Sequence, residues 1–80
     1  MKVRINILLK KGVLDTQGKA IENLLVKDFD FSSISNVRQG KFIDLEILET
    51  EESKIKQIID DICDKILVNK VIEEYNYQIL

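Results

Sequence analysis

Histidine and proline are absent from this sequence of 80 residues, and cysteine occurs once, at Cys63. Without histidine the commonest general base and metal ligand is gone. A lone cysteine cannot close an internal disulfide, so nothing covalent supports the core. A chain this short buries only about 60% of the surface its unfolded form exposes. Association with further chains is the remaining route to stability. Charge of one sign is also lacking. Twelve basic and fourteen acidic residues leave a net charge of −2, which is neither the footprint of a nucleic-acid binder nor a polybasic patch for a membrane. The apolar runs are too short to cross a bilayer. The start, "MKVRINILLKK", has charges on both sides and no small-residue cleavage site, so the cytoplasm is the expected location.

What is present is a regular alternation of patterns. Residues 2–9, "KVRINILL", alternate with period two, which predicts a half-buried strand. After the loop "KKGVLDTQGKA" (residues 10–20), Asp15 or Thr16 can cap a helix. Ala20, Ile21, Leu24 and Leu25 then repeat at helical spacing, fading near Lys27. "ISNVR" (34–38) reads as a short strand and Gln39-Gly40 as a tight turn with Gly40 free to take positive φ. "KFIDLEIL" follows as the second arm of a hairpin. Thr50 can cap a second helix with Glu51 and Glu52 in its first turn. That helix carries the stripe Ile55, Ile58, Ile59, Ile62 and Ile66, and Asn69 in a left-handed conformation would stop it. "EEYNYQIL" alternates again and predicts a last strand. The order β-α-β-β-α-β predicts one α+β domain over residues 1–80. Its expected form is a ferredoxin-like protomer, a four-stranded antiparallel sheet with two helices on one face. Its edges would be residues 34–38 and 75–79, and unpaired edges invite another chain. A dimer made by strand addition or by packing of the open sheet face is the expectation.

Candidate chemistry is sparse. The loop is not a phosphate-binding P-loop, because Ala20 stands where Ser or Thr is needed and Gly12 and Gly18 are one residue too far apart. A helix N-terminus there could still meet an anion. Asp44 and Glu46 share a strand face about 7 Å apart, but no histidine or enclosing pocket accompanies them. Glu49, Glu51 and Glu52 form a helix-start charge pattern. Cys63 lies toward the C-terminal half of its helix, away from the positive end that would activate a thiol, so packing is its expected role. An RNA-recognition sheet would need aromatic residues on its central strands and a basic surround, and strand one has no aromatic. An acylphosphatase would need an arginine in the first loop, where only lysines occur. The residues alone describe a small, oligomeric protein that works by contact.

Three blocks, "KKGVLDTQGKAI", "VRQGKFIDLEI" and "CDKILVNKVIEEY", stand in this order and at separations that resemble PurS, the small subunit of phosphoribosylformylglycinamidine (FGAM) synthase. The resemblance runs from Lys2 to the C-terminus. Two positions depart from it, since the family usually has proline where Thr16 and Lys70 stand. The resemblance implies a non-catalytic adaptor in de novo purine synthesis. There ATP, formylglycinamide ribonucleotide and glutamine become formylglycinamidine ribonucleotide, ADP, phosphate and glutamate. A glutaminase subunit releases ammonia and a synthetase subunit, where ATP and magnesium are expected, consumes it. No cofactor is expected in this chain, which would bridge the two and form a dimer or tetramer. The partner-contact residues so implied are Gly12, Val13, Leu14, Asp15, Gln17, Gly18 and Lys19, then Arg38, Gly40 and Lys41. Asn69, Ile72 and Tyr75 would serve helix termination and packing. A different reading of the same architecture is a regulatory module that binds a small metabolite at a dimer interface.

Overall fold

The computed structural model describes residues Met1–Leu80. Strand β1 (Lys2–Leu9) is the middle of a three-stranded antiparallel sheet, with β2 (Gly40–Glu46) on one side and β3 (Glu73–Ile79) on the other. Ile5 stands opposite Ile43 and Tyr77, and Asn6 opposite Phe42 and Asn76. The period-two pattern of β1 does what it predicts. Val3, Ile5 and Ile7 are fully buried on one face, while Arg4 and Asn6 point to the other.

Helix α2 (Glu52–Ile62, continuing as one π-helical turn through Leu67) covers the buried face. Ile55, Ile59 and Cys63, four residues apart, have no exposed surface and lie on the β1 residues. Burial of each such aliphatic side chain contributes about 1.5–3 kcal/mol. Lys56 and Asp60 pair at 2.6 Å on the flank of the helix, and the Tyr75 hydroxyl donates to Asp60 at 2.7 Å, fastening α2 on the β3 side. That bond to a carboxylate raises the phenol above its ordinary range.

Several expectations need correction. The strand at 34–38 does not form, so the sheet has three strands and no hairpin turn at Gln39-Gly40. Its backbone donors go elsewhere. Val37 N donates to Glu22 Oε1 at 3.0 Å and Gln39 N to Asp15 Oδ2 at 2.7 Å, while Asn36 turns left-handed at φ 55. Side chains of helix α1 (Thr16–Asn23, with a π turn at Leu24–Asp28) thus take the bonds that a ladder to β2 would have used. Gly40 is not a left-handed turn residue. It opens β2, and a Cβ there would stand 2.8 Å from the Ile7 carbonyl oxygen. The cap of α2 is Glu51 rather than Thr50. Helix α2 ends at Leu67 with Val68 extended, not on a left-handed Asn69; the Asn69 side chain accepts from Val71 N at 3.1 Å, and its carbonyl from the amides of Ile72 and Glu73.

The two helices do not share one face. No side chain of α1 belongs to the core or to the half-buried layer around it. The radius of gyration is 16.1 Å, against about 12 Å for a compact chain of this length. The longest dimension is 48 Å. A strand of eight residues, roughly 26 Å, and a helix with eight α and five π residues, roughly 20 Å, nearly fill it when laid end to end. Helix α1 therefore projects beyond the Leu9–Gly40 end of the sheet, with residues 30–39 returning alongside it as a strap.

Candidate functional site

The loop between β1 and α1 is set by its backbone. Gly12 takes φ 88 in open space, so its lack of a side chain answers a conformational need. Val13 N closes a turn on the Lys10 carbonyl at 3.1 Å, and Lys10 N reaches the Ile72 carbonyl at 2.8 Å. The Lys10 ammonium donates to the Lys70 carbonyl at 2.6 Å, which ties the loop to the start of β3. Val13 is half-buried and Leu14 stands out to solvent.

Asp15 is the N-cap of α1. Its Oδ1 accepts from Gly18 N at 2.8 Å and its Oδ2 from Gln39 N. These two backbone donors, with Arg38 adding its positive charge, hold the Asp15 carboxyl below the usual carboxylate range. Gly18 is buried because the strap lies against it, with the Val37 carbonyl where a Cβ would go. One turn on, Glu22 accepts from Val37 N and pairs with Lys19 at 3.1 Å, and its carboxyl is likewise lowered, first by the Val37 amide. Arg38 donates to the Leu9 carbonyl. Lys41 reaches across β1 to Glu73 at 3.5 Å.

The loop block and the β2 block therefore meet at one end of the sheet. Asp15 and Gln17 from one, and Gly40 and Lys41 from the other, line a cleft of about 310 Å³ with Gln39 and Glu73. Gly12, Val13, Leu14, Gly18, Lys19 and Arg38 do not line that cleft. Both Asp15 oxygens are occupied by amides, and a carboxylate already sits where an anion at the helix N-terminus would bind. Thr16 and Lys70 donate no backbone hydrogen bond. Each stands where a proline fits, Thr16 as the first residue of α1 and Lys70 second in the turn closed by Ile72 N on the Asn69 carbonyl.

Glu22 and Glu73 are members of this arrangement that the sequence reading passed over. The spacing Asp15, Gly18, Glu22 was a usable signal, since it puts two carboxylates and a gap on one side of a helix.

A family model described as PurS, phosphoribosylformylglycinamidine (FGAM) synthase, matches residues 2–80. The chain belongs to the PurS family. Membership makes it a subunit of FGAM synthase, in purine biosynthesis. The PurS subunit of Bacillus subtilis is 35% identical over 78 residues, covering 98% of this chain and 90% of that protein. The crystal structure of Methanocaldococcus jannaschii PurS, described as a subunit of formylglycinamide ribonucleotide amidotransferase, superposes with a TM-score of 0.84. It has 36% identity over 96% of this chain and 92% of that one. A chain in the structure of PurLQS from Thermotoga maritima superposes with a TM-score of 0.89, at 32% identity over 99% of this chain and 95% of that one. The three-stranded sheet with two helices is thus a PurS fold. No helix is long and apolar enough to cross a membrane.

Proposed function

We propose that this PurS-family subunit is the non-catalytic adaptor of a cytoplasmic FGAM synthase, joining a glutaminase subunit to an ATP- and magnesium-using synthetase subunit. The observation that carries this reading is the state of the polar groups around the cleft. The Asp15 and Glu22 carboxylates are engaged with backbone amides, and Lys41 with Glu73. Nothing there is left poised to attack or to move a proton, yet Leu14, Gln17 and Lys19 stand exposed on a backbone held from several sides. Such a surface suits docking. The loop residues Gly12, Val13, Leu14, Asp15, Gln17, Gly18 and Lys19 form one part of the contact, and Arg38, Gly40 and Lys41 the other.

The adaptor works through geometry. Ammonia released at one active site escapes into water as ammonium unless the second site is close. Holding the two catalysts in fixed relation gives the acceptor a high effective concentration of ammonia. The many exposed apolar side chains support a homo-oligomer, dimer or tetramer, as the form that docks.

Reconstitution tests this reading. Glutamine-dependent formation of the amidine product is measured with the two catalytic subunits, with and without this chain. Dependence on the chain, reduced by Leu14→Asp at unchanged melting temperature, is the expected result. Equal activity without the chain overturns it.

A further inference from the structure

Strand β3 is an edge of the sheet, and its outer side is bare. It pairs with β1 and with no other strand. In an antiparallel ladder the residues of a strand alternate, one turning its amide and carbonyl to the neighbour and the next turning both away. Here the ladder runs through the even-numbered residues of β3. Lys10 N bonds the Ile72 carbonyl at 2.8 Å at one end, and Leu80 N the Lys2 carbonyl at 2.9 Å at the other. Tyr75, Tyr77 and Ile79 therefore direct their amides and carbonyls outward, and no turn, cap or side chain of this chain takes them. On that side the Glu73 amide is already satisfied, by the Asn69 carbonyl at 2.7 Å.

Natural proteins guard such an edge with a proline, a lysine, a bulge or a covering segment. Strand β3 reads EEYNYQI, without proline or lysine. Its register with β1 is unbroken from Glu73 to Ile79. Helix α2 bonds the Tyr75 side chain through Asp60 and takes none of the backbone groups. The unguarded edge is seven residues long, roughly 23 Å.

Its chemistry defines the occupant. A row of outward amides and carbonyls is met by another strand. Side chains of that strand on the helix side meet the half-buried Tyr75 and Tyr77, and those on the open side meet Glu74, Asn76 and Gln78. Glu73 is taken by Lys41, whereas Glu74 is exposed and has no ion pair. A second copy pairing about a two-fold axis presents this same strand, which has two glutamates and no cation.

We propose that β3 receives an extended segment of a catalytic subunit as a fourth strand, with apolar residues toward Tyr75 and Tyr77 and a lysine or arginine beside Glu74. This rests on the adaptor reading, in its bridging of catalytic subunits rather than its self-association. It adds a contact along the length of the sheet to the one at the cleft.

Amide exchange on the full chain tests it. Exchange is followed in the chain alone and in its complex with each catalytic subunit, then quenched and read on the released chain by NMR. Alone, the amides of Tyr75, Tyr77 and Ile79 should exchange fast and those of Asn76 and Gln78 slowly. In one of the complexes the first three should slow by at least about tenfold. Ile79→Pro removes one outward donor and no ladder bond. It should melt near the parent yet bind that subunit at least about tenfold more weakly, while Ile79→Val, which keeps the donor, should bind as the parent does. Complexes in which the three amides exchange as fast as in the chain alone overturn the added strand and leave the adaptor reading standing. So does slow exchange at all three in the chain alone, which marks a second copy on the edge, and so does equal affinity of Ile79→Pro and the parent. A chain that forms no complex with either catalytic subunit overturns both.

Discussion

Replacing Gly18 with alanine sets two effects of opposite sign against each other. Inside a helix alanine is favoured over glycine by about 0.8–1.0 kcal/mol, so α1 considered alone gains. The added Cβ, however, stands 2.6 Å from the Val37 carbonyl oxygen and 2.6 Å from Asp15 Oδ2. The Asp15 carboxylate can rotate aside, but then Gly18 N and Gln39 N lose their acceptor. The Val37 oxygen is backbone, and moving it draws Val37 N away from Glu22. Overpacking of this kind costs about 1–3 kcal/mol. The net result runs from break-even to a loss of about 2 kcal/mol, and 1 kcal/mol moves the melting temperature of a domain this size by about 4–8 °C. Thermal unfolding at fixed protein concentration gives the global effect, and amide exchange at Val37 and Gln39 the local one. Gly18→Ala should melt no higher than the parent, with faster exchange at both amides. Asn23→Ala, exposed and clear of the strap, should show the helix-forming gain alone. A Gly18→Ala chain that melts several degrees higher with both amides unchanged would refute the packing of α1 against the strap.

Thr16→Pro should stabilise by about 0.4–1 kcal/mol, because Thr16 opens α1 and its amide donates no backbone bond; urea unfolding at constant slope measures it. The carboxyls of Asp15 and Glu22 lie below their unfolded values of about 3.9 and 4.3, so their stabilisation is full above those values and is lost as pH falls through the lower folded ones. The Val37 and Gln39 amide resonances should follow that acid transition, and Asp15→Asn should remove it at Gln39; resonances that stay fixed as the carboxyls protonate would contradict the assignment. Ile59→Ala removes a fully buried side chain of α2 and should cost about 2–5 kcal/mol, leaving little folded protein by circular dichroism at 37 °C. A cooperative, near-parent melt would mean that α2 is not the element that closes the core.

The central strand β1 and helix α2 were readable because their signals are local. Val3, Ile5 and Ile7 on one side of β1, and Ile55 and Ile59 on one side of α2, mark the faces that pack. Asp15 as a helix cap was equally readable from a short polar side chain before an apolar repeat. The strand at 34–38 was misread because Ile34 and Val37 are β-branched residues that favour strands, while what decides the segment's fate is Glu22, fifteen residues from Val37. No pattern within the segment records that competition. The place of α1 was misread for a related reason. Ile21 and Leu24 announce that one side of the helix wants covering, and periodicity is silent about where on the fold that helix is placed. The loop and β2 residues chosen for contact did converge on one end of the sheet, since β1 and β2 pair with Leu8 opposite Gly40.

None of the eight buried core residues, nor the six that flank them, lies between positions 8 and 42. Nearly half the chain therefore lies outside the interior, although Gly18 and Gly40 within it have no room for a side chain. What that stretch supplies is the loop, the arm and the strap at the Leu9–Gly40 end, held by the Asp15 and Glu22 bonds and by the space at Gly18, so its substitutions are felt at that end of the molecule rather than in the interior.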